Sequence, residues 1–220
     1  MLEHQIKMGR DALFDLLASN NLLVRRRKRK VYTTQSYHWL RKYSNLIRGY
    51  KPTASNQLWV SDITYWRTGA GILYISLITD AYSHKIVGYQ VAETLETMES
   101  ISALKMALDS LDGPVTELIH HSDRGIQYCS HNYVNLLQDY GIQISMTENG
   151  DPLENAIAER INGIIKDEYL DNYQVHSLTE AKILLHQVIQ LYNEERPHMS
   201  LGNFKPNQVH EKNEKSEKLW

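Results

Sequence analysis

Five stretches of the chain have the hydrophobic pattern of β-strands. They are rich in β-branched and aromatic residues and are bounded by glycine and small polar residues. The predicted strands cover residues 58–66, 71–80, 85–91, 116–121 and 143–146. Gly69 and Gly71 mark a hairpin between the first two, and a turn at Tyr82–Ser83–His84 precedes the third. The first three strands therefore predict an antiparallel meander.

Apolar residues at helical spacing fill most of the remaining chain. The predicted helices cover residues 8–18, 97–111, 130–140, 151–170 and 177–193. Thr97, Ser130 and Ser177 fit N-cap positions, and Ser177 forms a capping box with Glu180. Residues 31–57 have neither period and predict an ordered linker, whereas the last residues, from 210, predict a frayed tail.

The order of these elements predicts the fold class. Three strands followed by helix–strand–helix–strand–helix is typical of an α/β, RNase H-like fold. In it the meander joins parallel strands in one mixed sheet, and helices flank the sheet. We divide the chain into a basic helical segment and linker at 1–54, the core at 55–172, and a C-terminal helix and tail at 173–220.

The helix predicted at residues 151–170 has an apolar and a polar side. Asp151, Pro152 and Glu154 fit its N-cap, first and third positions, so Asp151 and Glu154 are expected to cap each other's backbone donors. Successive residues of an α-helix are rotated by about 100° around its axis, so the isoleucines of this segment fall on one side of the helix. The opposite face carries Asn155, Glu159, Asn162 and Lys166. Contact with solvent is the ordinary interpretation of such a face.

Three acidic residues stand out by position. Asp62 lies inside the first predicted strand, where aspartate is disfavoured, so a functional role is the better interpretation. Asp123 directly follows the fourth strand, although taken alone it could equally be a turn former. Another 35 residues separate Asp123 from Glu159. In mixed sheets ligands gather beyond the strand ends, which is where we expect Asp123.

Charge is distributed unevenly along the chain. The net charge is −2, but residues 1–51 contain twelve Lys or Arg against three Asp or Glu, which gives +9. The rest contains twelve against twenty-three, which gives −11. Such a basic front end suggests an anionic polymer as partner, with a solvated arm as the alternative. The basic block consists of Arg25, Arg26, Arg27, Lys28, Arg29 and Lys30.

The single cysteine limits the possible classes of protein. Cys129 cannot form an intramolecular disulfide and fits a reducing cytosol. It also excludes a zinc module with two cysteine ligands. The chain has no apolar run of about 18 residues, so it predicts no membrane span.

The acidic residues and their surroundings resemble a known family. Asp62 in WVSDITYW, Asp123 in HHSDRGIQYCS and Glu159 in ENAIAERINGIIKDE resemble the Asp–Asp–Glu core of retroviral-type integrases and related transposases. The resemblance is strongest to bacterial insertion-sequence transposases in which the integrase-like protein is the second of two reading frames. The block LLVRRRKRK and the motif YNEERPHMSL…KP are similar too, so the resemblance runs from about Gly9 to about Pro206.

The resemblance implies an activity and a site. The protein is expected to nick element ends by hydrolysis and to join the freed 3′-hydroxyl to a second phosphodiester, without a covalent protein intermediate. Two Mg²⁺ (or Mn²⁺) ions are expected, with Asp62 bridging both and Asp123 and Glu159 each holding one. His120 and His121 are expected to be structural, because imidazole is the less usual ligand for magnesium.

The resemblance also implies partners. DNA, as element ends and target, is expected to contact the basic block and Arg196 of the late motif, with hydrogen bonding of Arg196 to the last carbonyls of its helix as the alternative. Lys166 lies two turns after Glu159 on the same helix face, so it is also expected to reach a DNA phosphate, with a solvated lysine as the alternative. A first-frame helix-turn-helix protein is a possible partner, and a homo-oligomer is expected on DNA in the bacterial cytoplasm, associated with the nucleoid. More sequence usually precedes this point in the family, so a fragment or shortened frame is expected. The alternatives are a structure-selective nuclease that never joins, and an inactive DNA-binding remnant.

Overall fold

The computed structural model describes residues 8–20, 22–23, 38–111, 113, 117–148 and 155–212. Residues 1–30 and 31–220 form two compact units. The first unit contains helix α1 (Arg10–Ser19), none of whose residues is buried. The helix predicted at residues 8–18 is therefore present. The basic block at 25–30 lies outside the described residues.

The second unit is built on a five-stranded mixed sheet. Its strands are β1 (Leu58–Thr68), β2 (Gly71–Asp80), β3 (Ile86–Ala92), β4 (Ile119–Ser122) and β5 (Gln143–Met146). They lie in the order β3–β2–β1–β4–β5. The pairs β1–β2 and β2–β3 are antiparallel, whereas β1–β4 and β4–β5 are parallel. The predicted meander, continued by parallel strands, is confirmed.

Helices cover both faces of this sheet. They are α2 (Thr97–Asp109), α3 (Ile126–Cys129), α4 (His131–Asp139), α5 (Ala156–Ile164), α6 (Leu178–Glu195) and α7 (Pro206–Lys212). A π-helical turn, Ile165–Tyr169, and a 3₁₀ turn, Leu170–Asn172, continue α5. A further 3₁₀ turn spans Met199–Leu201. The sequence did not predict α3, α7 or the π-helical turn.

Two predicted caps are present and one is not. The Ser130 hydroxyl accepts from Tyr133 N, and the Ser177 hydroxyl accepts from Glu180 N, each at the start of its helix. The prediction that Thr97 caps α2 is wrong, because Glu96 holds the extended N-cap position and Thr97 is already helical. Asp151, Pro152 and Glu154 lie outside the described residues.

The strand alternation divides the core between the two faces of the sheet. Trp59 and Trp66 are an odd number of positions apart on β1, so their side chains point to opposite faces. Trp59 packs with buried residues of α2 and α4, whereas Trp66 packs with buried residues of α5 and α6. The site-bearing helix α5 is thus fixed to one face by the isoleucines of its apolar stripe, Ile161 and Ile164.

The described part of the predicted linker packs along the edge of the sheet at β5. Asn45 N donates to Glu148 Oε1 at 3.0 Å, and Leu46 N donates to Ser145 Oγ at 2.9 Å. Met146 N donates to Ser44 O at 3.4 Å. Residues 44–46 therefore cover part of an edge strand, which protects it from unwanted pairing.

The C-terminal helix is attached to the opposite edge. Tyr192 Oη donates to His84 O at 3.0 Å, and the Asn193 side chain bonds both the N–H and the C=O of Ile86. Helix α6 is therefore held beside β3, the strand at this edge of the sheet.

None of the helices in the described ranges is long and apolar enough to cross a membrane.

Candidate active site

Asp62 and Asp123 lie side by side on neighbouring strands. The parallel register of β1 and β4 pairs Ser61 with Ser122; Asp62 is the next residue of β1, and Asp123 is the residue that directly follows β4. Neighbouring strands are about 4.8 Å apart, so Asp62 and Asp123 lie close together where β4 ends, and both line the same cleft. Both aspartates are partly exposed. The expectation that Asp123 follows a strand end is met by its place directly after β4.

Glu159 comes from α5, the helix that packs on the same face of the sheet as Trp66. It is the fourth residue of α5, and its side chain is partly exposed. Burial raises the pKa of Asp62 to about 7, the negative charge of Asp123 raises it next, and that of Glu159 adds to the shift. The charges of the other two predicted carboxylates thus both act on Asp62.

The polar side of α5 faces β1 and not solvent, contrary to the ordinary interpretation of such a face. Asn162 is only 4% exposed, and its Nδ2 donates to Asp62 Oδ2 at 2.8 Å. Asn155 is also buried, and its Nδ2 donates to Ser61 O at 3.0 Å. Sequence analysis placed both asparagines on the same face as Glu159 but gave them no role. Their position on the same helix face as Glu159 was the sequence feature that could have indicated a role beside the site.

A tight turn orients the second aspartate. Gly125 N donates to Asp123 Oδ1 at 2.9 Å. A Cβ at Gly125 would lie 2.9 Å from the same oxygen, which is closer than side-chain carbons approach oxygen atoms. The absence of a side chain at this position therefore allows the backbone to hold the carboxylate.

The two aspartates line a small cleft that is open to solvent. Tyr65, Tyr74, Gln127 and Tyr128 line it together with neighbouring residues of β1. Gln127 is fixed by a hydrogen bond from its Nε2 to Leu95 O at 2.9 Å. The cleft combines a polar floor with aromatic walls, as ligand sites usually do.

The donor chemistry of the site fits a hard divalent cation. Carboxylate oxygens are the ligands that magnesium prefers, and a cation would favour the ionised form of Asp62, which burial and two like charges disfavour. Within the described ranges, no group of three or more His, Cys, Asp or Glu side chains is arranged closely enough to hold a metal ion. The predicted three-carboxylate ligand set therefore stays a prediction.

The chain matches models of a known domain. Two family models described as "Integrase core domain" match residues 52–152 and 140–206. An uncharacterized 31 kDa protein of insertion element IS600 from Shigella sonnei is 37% identical over 214 residues, which are 96% of this chain and 78% of that protein. The transposase for insertion sequence element IS629 from the same species is 32% identical over 206 residues, 94% of this chain and 69% of that protein. The chain belongs to the integrase-core family of insertion-sequence transposases.

A solved structure agrees on the fold of this integrase-core protein. The HTLV-2 integrase catalytic core domain in complex with magnesium superposes with a TM-score of 0.57 at 20% identity, covering 71% of this chain and 97% of that one. At this identity the likeness concerns the fold, and it agrees with the RNase H-like class. Family membership assigns the chain to DNA transposition and integration.

Two histidines lie behind the site in the integrase core. His120 Nε2 contacts Ser61 Oγ at 2.7 Å and Tyr133 Oη at 3.0 Å. His121 Nδ1 contacts Ser145 Oγ at 2.8 Å. Burial, and next the neighbouring His121, lower the pKa of His120 to about 3, so it is neutral. These contacts connect strands of the sheet, as expected of structural side chains.

The predicted DNA-contacting side chains have intramolecular neighbours. Lys166 Nζ lies 4.0 Å from the centre of the Tyr65 ring, at the wall of the cleft. Arg196 donates two hydrogen bonds to Glu168, from Nε to Oε2 at 2.8 Å and from Nη2 to Oε1 at 2.9 Å. Contact of Lys166, Arg196 and the basic block with DNA stays a prediction.

Proposed function

We propose that this chain catalyses both chemical steps of transposition, hydrolysis at element ends and joining of those ends to target DNA. The observation that carries the proposal is the position of Asp62, which lies beside Asp123 on adjacent strands and within the electrostatic reach of Glu159. Such a cluster is costly by itself because the like charges repel one another. Family membership gives the DNA substrate class.

In the first reaction a water oxygen bonds to phosphorus and the P–O3′ bond breaks, which leaves a 3′-hydroxyl on the element. In the second, that 3′-oxygen bonds to a target phosphorus and the target strand's 3′-oxygen leaves. Asp62, Asp123 and Glu159 would hold Mg²⁺ or Mn²⁺. When bound, these ions supply charge stabilisation at phosphorus and a more acidic attacking hydroxyl.

The chain's own residues prepare the site in three ways. Asn162 fixes one oxygen of Asp62, and the Gly125 N–H fixes one oxygen of Asp123. The aromatic side chains of Tyr65, Tyr74 and Tyr128 give the cleft beside these carboxylates an apolar wall. The single cysteine, Cys129, is a poor nucleophile because burial raises the pKa of its thiol to about 11. This supports direct transfer without a covalent cysteine intermediate.

The assembly is part of the same proposal. Two element ends and a target must be brought together, so we propose that the chain acts as a homo-oligomer on DNA. The site of action would be the bacterial cytoplasm, at the nucleoid. A first-frame helix-turn-helix partner is proposed only from the family resemblance, and the DNA upstream of codon 1 would reveal its reading frame.

The experiment uses the purified full chain with DNA carrying its own element ends. We expect nicked and joined products with Mg²⁺ or Mn²⁺, whereas Ca²⁺ should support binding better than reaction. Asp62→Asn, Asp123→Asn and Glu159→Gln should each abolish both products while the protein stays folded. Glu148→Gln is the matched control, because Glu148 bonds the linker backbone at Asn45 and should leave both products intact.

Each alternative gives a different result. Nicking without any joined product would identify a nuclease, and DNA binding without either product would identify an inactive remnant. Full nicking in excess chelator would overturn the metal-dependent site. A readout independent of turnover is also available, because Mg²⁺ should raise the melting temperature of the wild type but not that of Asp62→Asn.

A further inference from the structure

The side chain of Trp39 points outward from the described part of the linker. It is 86% exposed, the largest fraction among the large apolar side chains of the described residues. Trp59 and Trp66, the other described tryptophans, are buried. Single exposed apolar side chains are common on protein surfaces, so exposure alone assigns no function to Trp39. Its surroundings have to decide its role.

The linker holds Trp39 beside the turn that carries Asp123. The preceding residue, His38, donates from Nε2 to Arg124 O at 2.9 Å, and Arg124 directly follows Asp123. On the other side, the centre of the Trp39 ring lies 6.2 Å from that of His131, the first residue of α4. Trp39 therefore lies on the outside of the segment that connects Asp123 to α4, where a DNA strand reaching Asp123 would pass.

Two cations accompany this ring. Lys42 is exposed and donates from Nζ to His38 O at 3.4 Å, and Arg124 is partly exposed. Burial, and next the charge of Asp123, raise the pKa of the Cys129 thiol. The charges of Lys42 and Arg124 both act against this rise, so the two cations lie near the same thiol. Within the described part of the chain, neither cation forms an ion pair with a carboxylate.

We propose that Trp39, Lys42 and Arg124, together the Trp39 surface, bind the DNA strand that flanks the reacting phosphodiester, with the Trp39 ring stacked on an unpaired nucleobase. The inference rests on the proposed function and adds a DNA-binding surface to it. Aromatic rings stack on any base because every base has a π-face, and cations beside the ring bind the phosphates of the same strand. The charge favours DNA over a protein partner, since charged residues are depleted at the centre of protein–protein interfaces.

Trp39→Leu tests the stacking, because it keeps an apolar side chain and removes the ring. The probe is an element end bound in Ca²⁺, either fully paired or with mismatched bases beside the cleavage position. The wild type should prefer the mismatched end, because its base is already unpaired. Trp39→Leu should bind the mismatched end about 5- to 150-fold more weakly, as for one lost base–aromatic stack, and should lose much of this preference.

Trp39→Phe keeps an aromatic ring and should retain most of the affinity. Tryptophan fluorescence of the wild type should change when the mismatched end binds, and this change should be absent in Trp39→Phe. Tyr140→Leu is the matched control for the ring. Tyr140 is 48% exposed and follows α4 at the end opposite His131, so its replacement should leave both dissociation constants unchanged.

Lys42→Gln tests the phosphate contacts. It should lower the log–log salt slope of binding by about 0.7–0.9, as for one lost contact, whereas Trp39→Leu should leave the slope unchanged because the ring carries no charge. Lys105→Gln, an exposed lysine of α2, is the matched control and should keep the wild-type slope. Every variant should melt at the wild-type temperature, since the replaced side chains are exposed.

The opposite results overturn the inference. Unchanged binding by Trp39→Leu, or equal losses on the paired and mismatched ends, would reject the stacked base. A lower melting temperature for Trp39→Leu would make the ring structural. Unchanged DNA binding with a smaller oligomer would assign the surface to a second protein copy. A wild type that binds ends but never reacts fails the proposed function alone, because the binding comparison still tests the surface. A wild type that does not bind DNA overturns both.

Discussion

The ion pair between Arg196 and Glu168 should couple the C-terminal motif to the helix that carries Glu159. Glu168 lies in the π-helical turn that continues α5, and Arg196 directly follows α6. The guanidinium binds both carboxylate oxygens, at 2.8 and 2.9 Å, and the side chains are only 20% and 24% exposed. Bidentate geometry and low exposure are the conditions under which an ion pair contributes measurably to stability.

The size of the effect follows from this intermediate burial. Exposed pairs contribute about 0.2–1 kcal/mol, whereas removing one partner of a buried pair costs about 3–5 kcal/mol. We therefore expect a coupling energy of about 1–2 kcal/mol between Arg196 and Glu168. The assay is a double-mutant cycle of Arg196→Ala and Glu168→Ala in urea unfolding. Because the pair fixes the extension of α5, Arg196→Ala should also slow joining per folded molecule.

The chain offers a matched control at the same end of α6. Lys205 Nζ and Glu195 Oε2 are 2.8 Å apart, but their side chains are 35% and 60% exposed. The same cycle on this pair should give a coupling of less than about 0.5 kcal/mol. Equal coupling energies for the two pairs would refute the reasoning from burial. Normal joining by a folded Arg196→Ala variant would refute the link to the active site.

Three further predictions can be tested on the same protein. Glu159→Gln should fold and bind DNA but neither nick nor join, whereas Glu154→Ala should lower the free energy of unfolding by about 0.5–2 kcal/mol and keep some activity. Thermal melts and single-turnover assays test both variants, and a Glu159→Gln variant that nicks normally would refute the catalytic role of Glu159. Neutralising the block at residues 25–30 should flatten the salt dependence of DNA binding by about 0.9 in log–log slope per lost phosphate contact, and an unchanged slope would place the DNA elsewhere. Burial lowers the pKa values of His120 and His198 to about 3, so below pH 6.5 the unfolded chain binds these protons first and each histidine should lower the free energy of unfolding by about 1.4 kcal/mol per pH unit. The pKa of Asp62 is raised to about 7, so proton uptake by the folded protein should offset about one of the two histidines. The net expectation is a fall of about 1.4 kcal/mol per pH unit, and flat urea midpoints from pH 6 to 5 would contradict it.

Local patterns were sufficient for the strands and singled out Asp62, whereas Asp123 taken alone could equally be a turn former. Gly71 and the β-branched runs delimit β1 and β2 within a few residues, because a hairpin needs both a turn and two alternating segments. Asp62 stood out because aspartate is rare inside a strand. The relative position of Asp62 and Asp123 then follows from the parallel register of two strands, which the element order already implied.

Features that depend on what covers a surface were beyond the sequence. Helical periodicity gives the angle of Asn155 and Asn162 around α5, but not the identity of the element that packs on that side. The π-helical turn was equally hidden, since one widened turn barely alters the spacing of apolar residues. Thr97 failed as a cap because several residues near a helix start can hold the N-cap, and Glu96 holds it here.

The contact between Asn162 and Asp62 joins a residue that a local pattern singled out to one whose surroundings depend on tertiary packing. The two residues are 100 positions apart, so no local pattern could pair them. A buried carboxylate needs a donor, and an arginine or lysine at residue 162 would supply one at the cost of neutralising Asp62 and holding its pKa low. Asn162 donates without a charge, and the pKa of Asp62 remains near 7 because burial and Asp123 outweigh that single hydrogen bond. Asp62 is thus oriented without a neighbouring positive charge, and a bound cation would supply that charge and favour its ionised form.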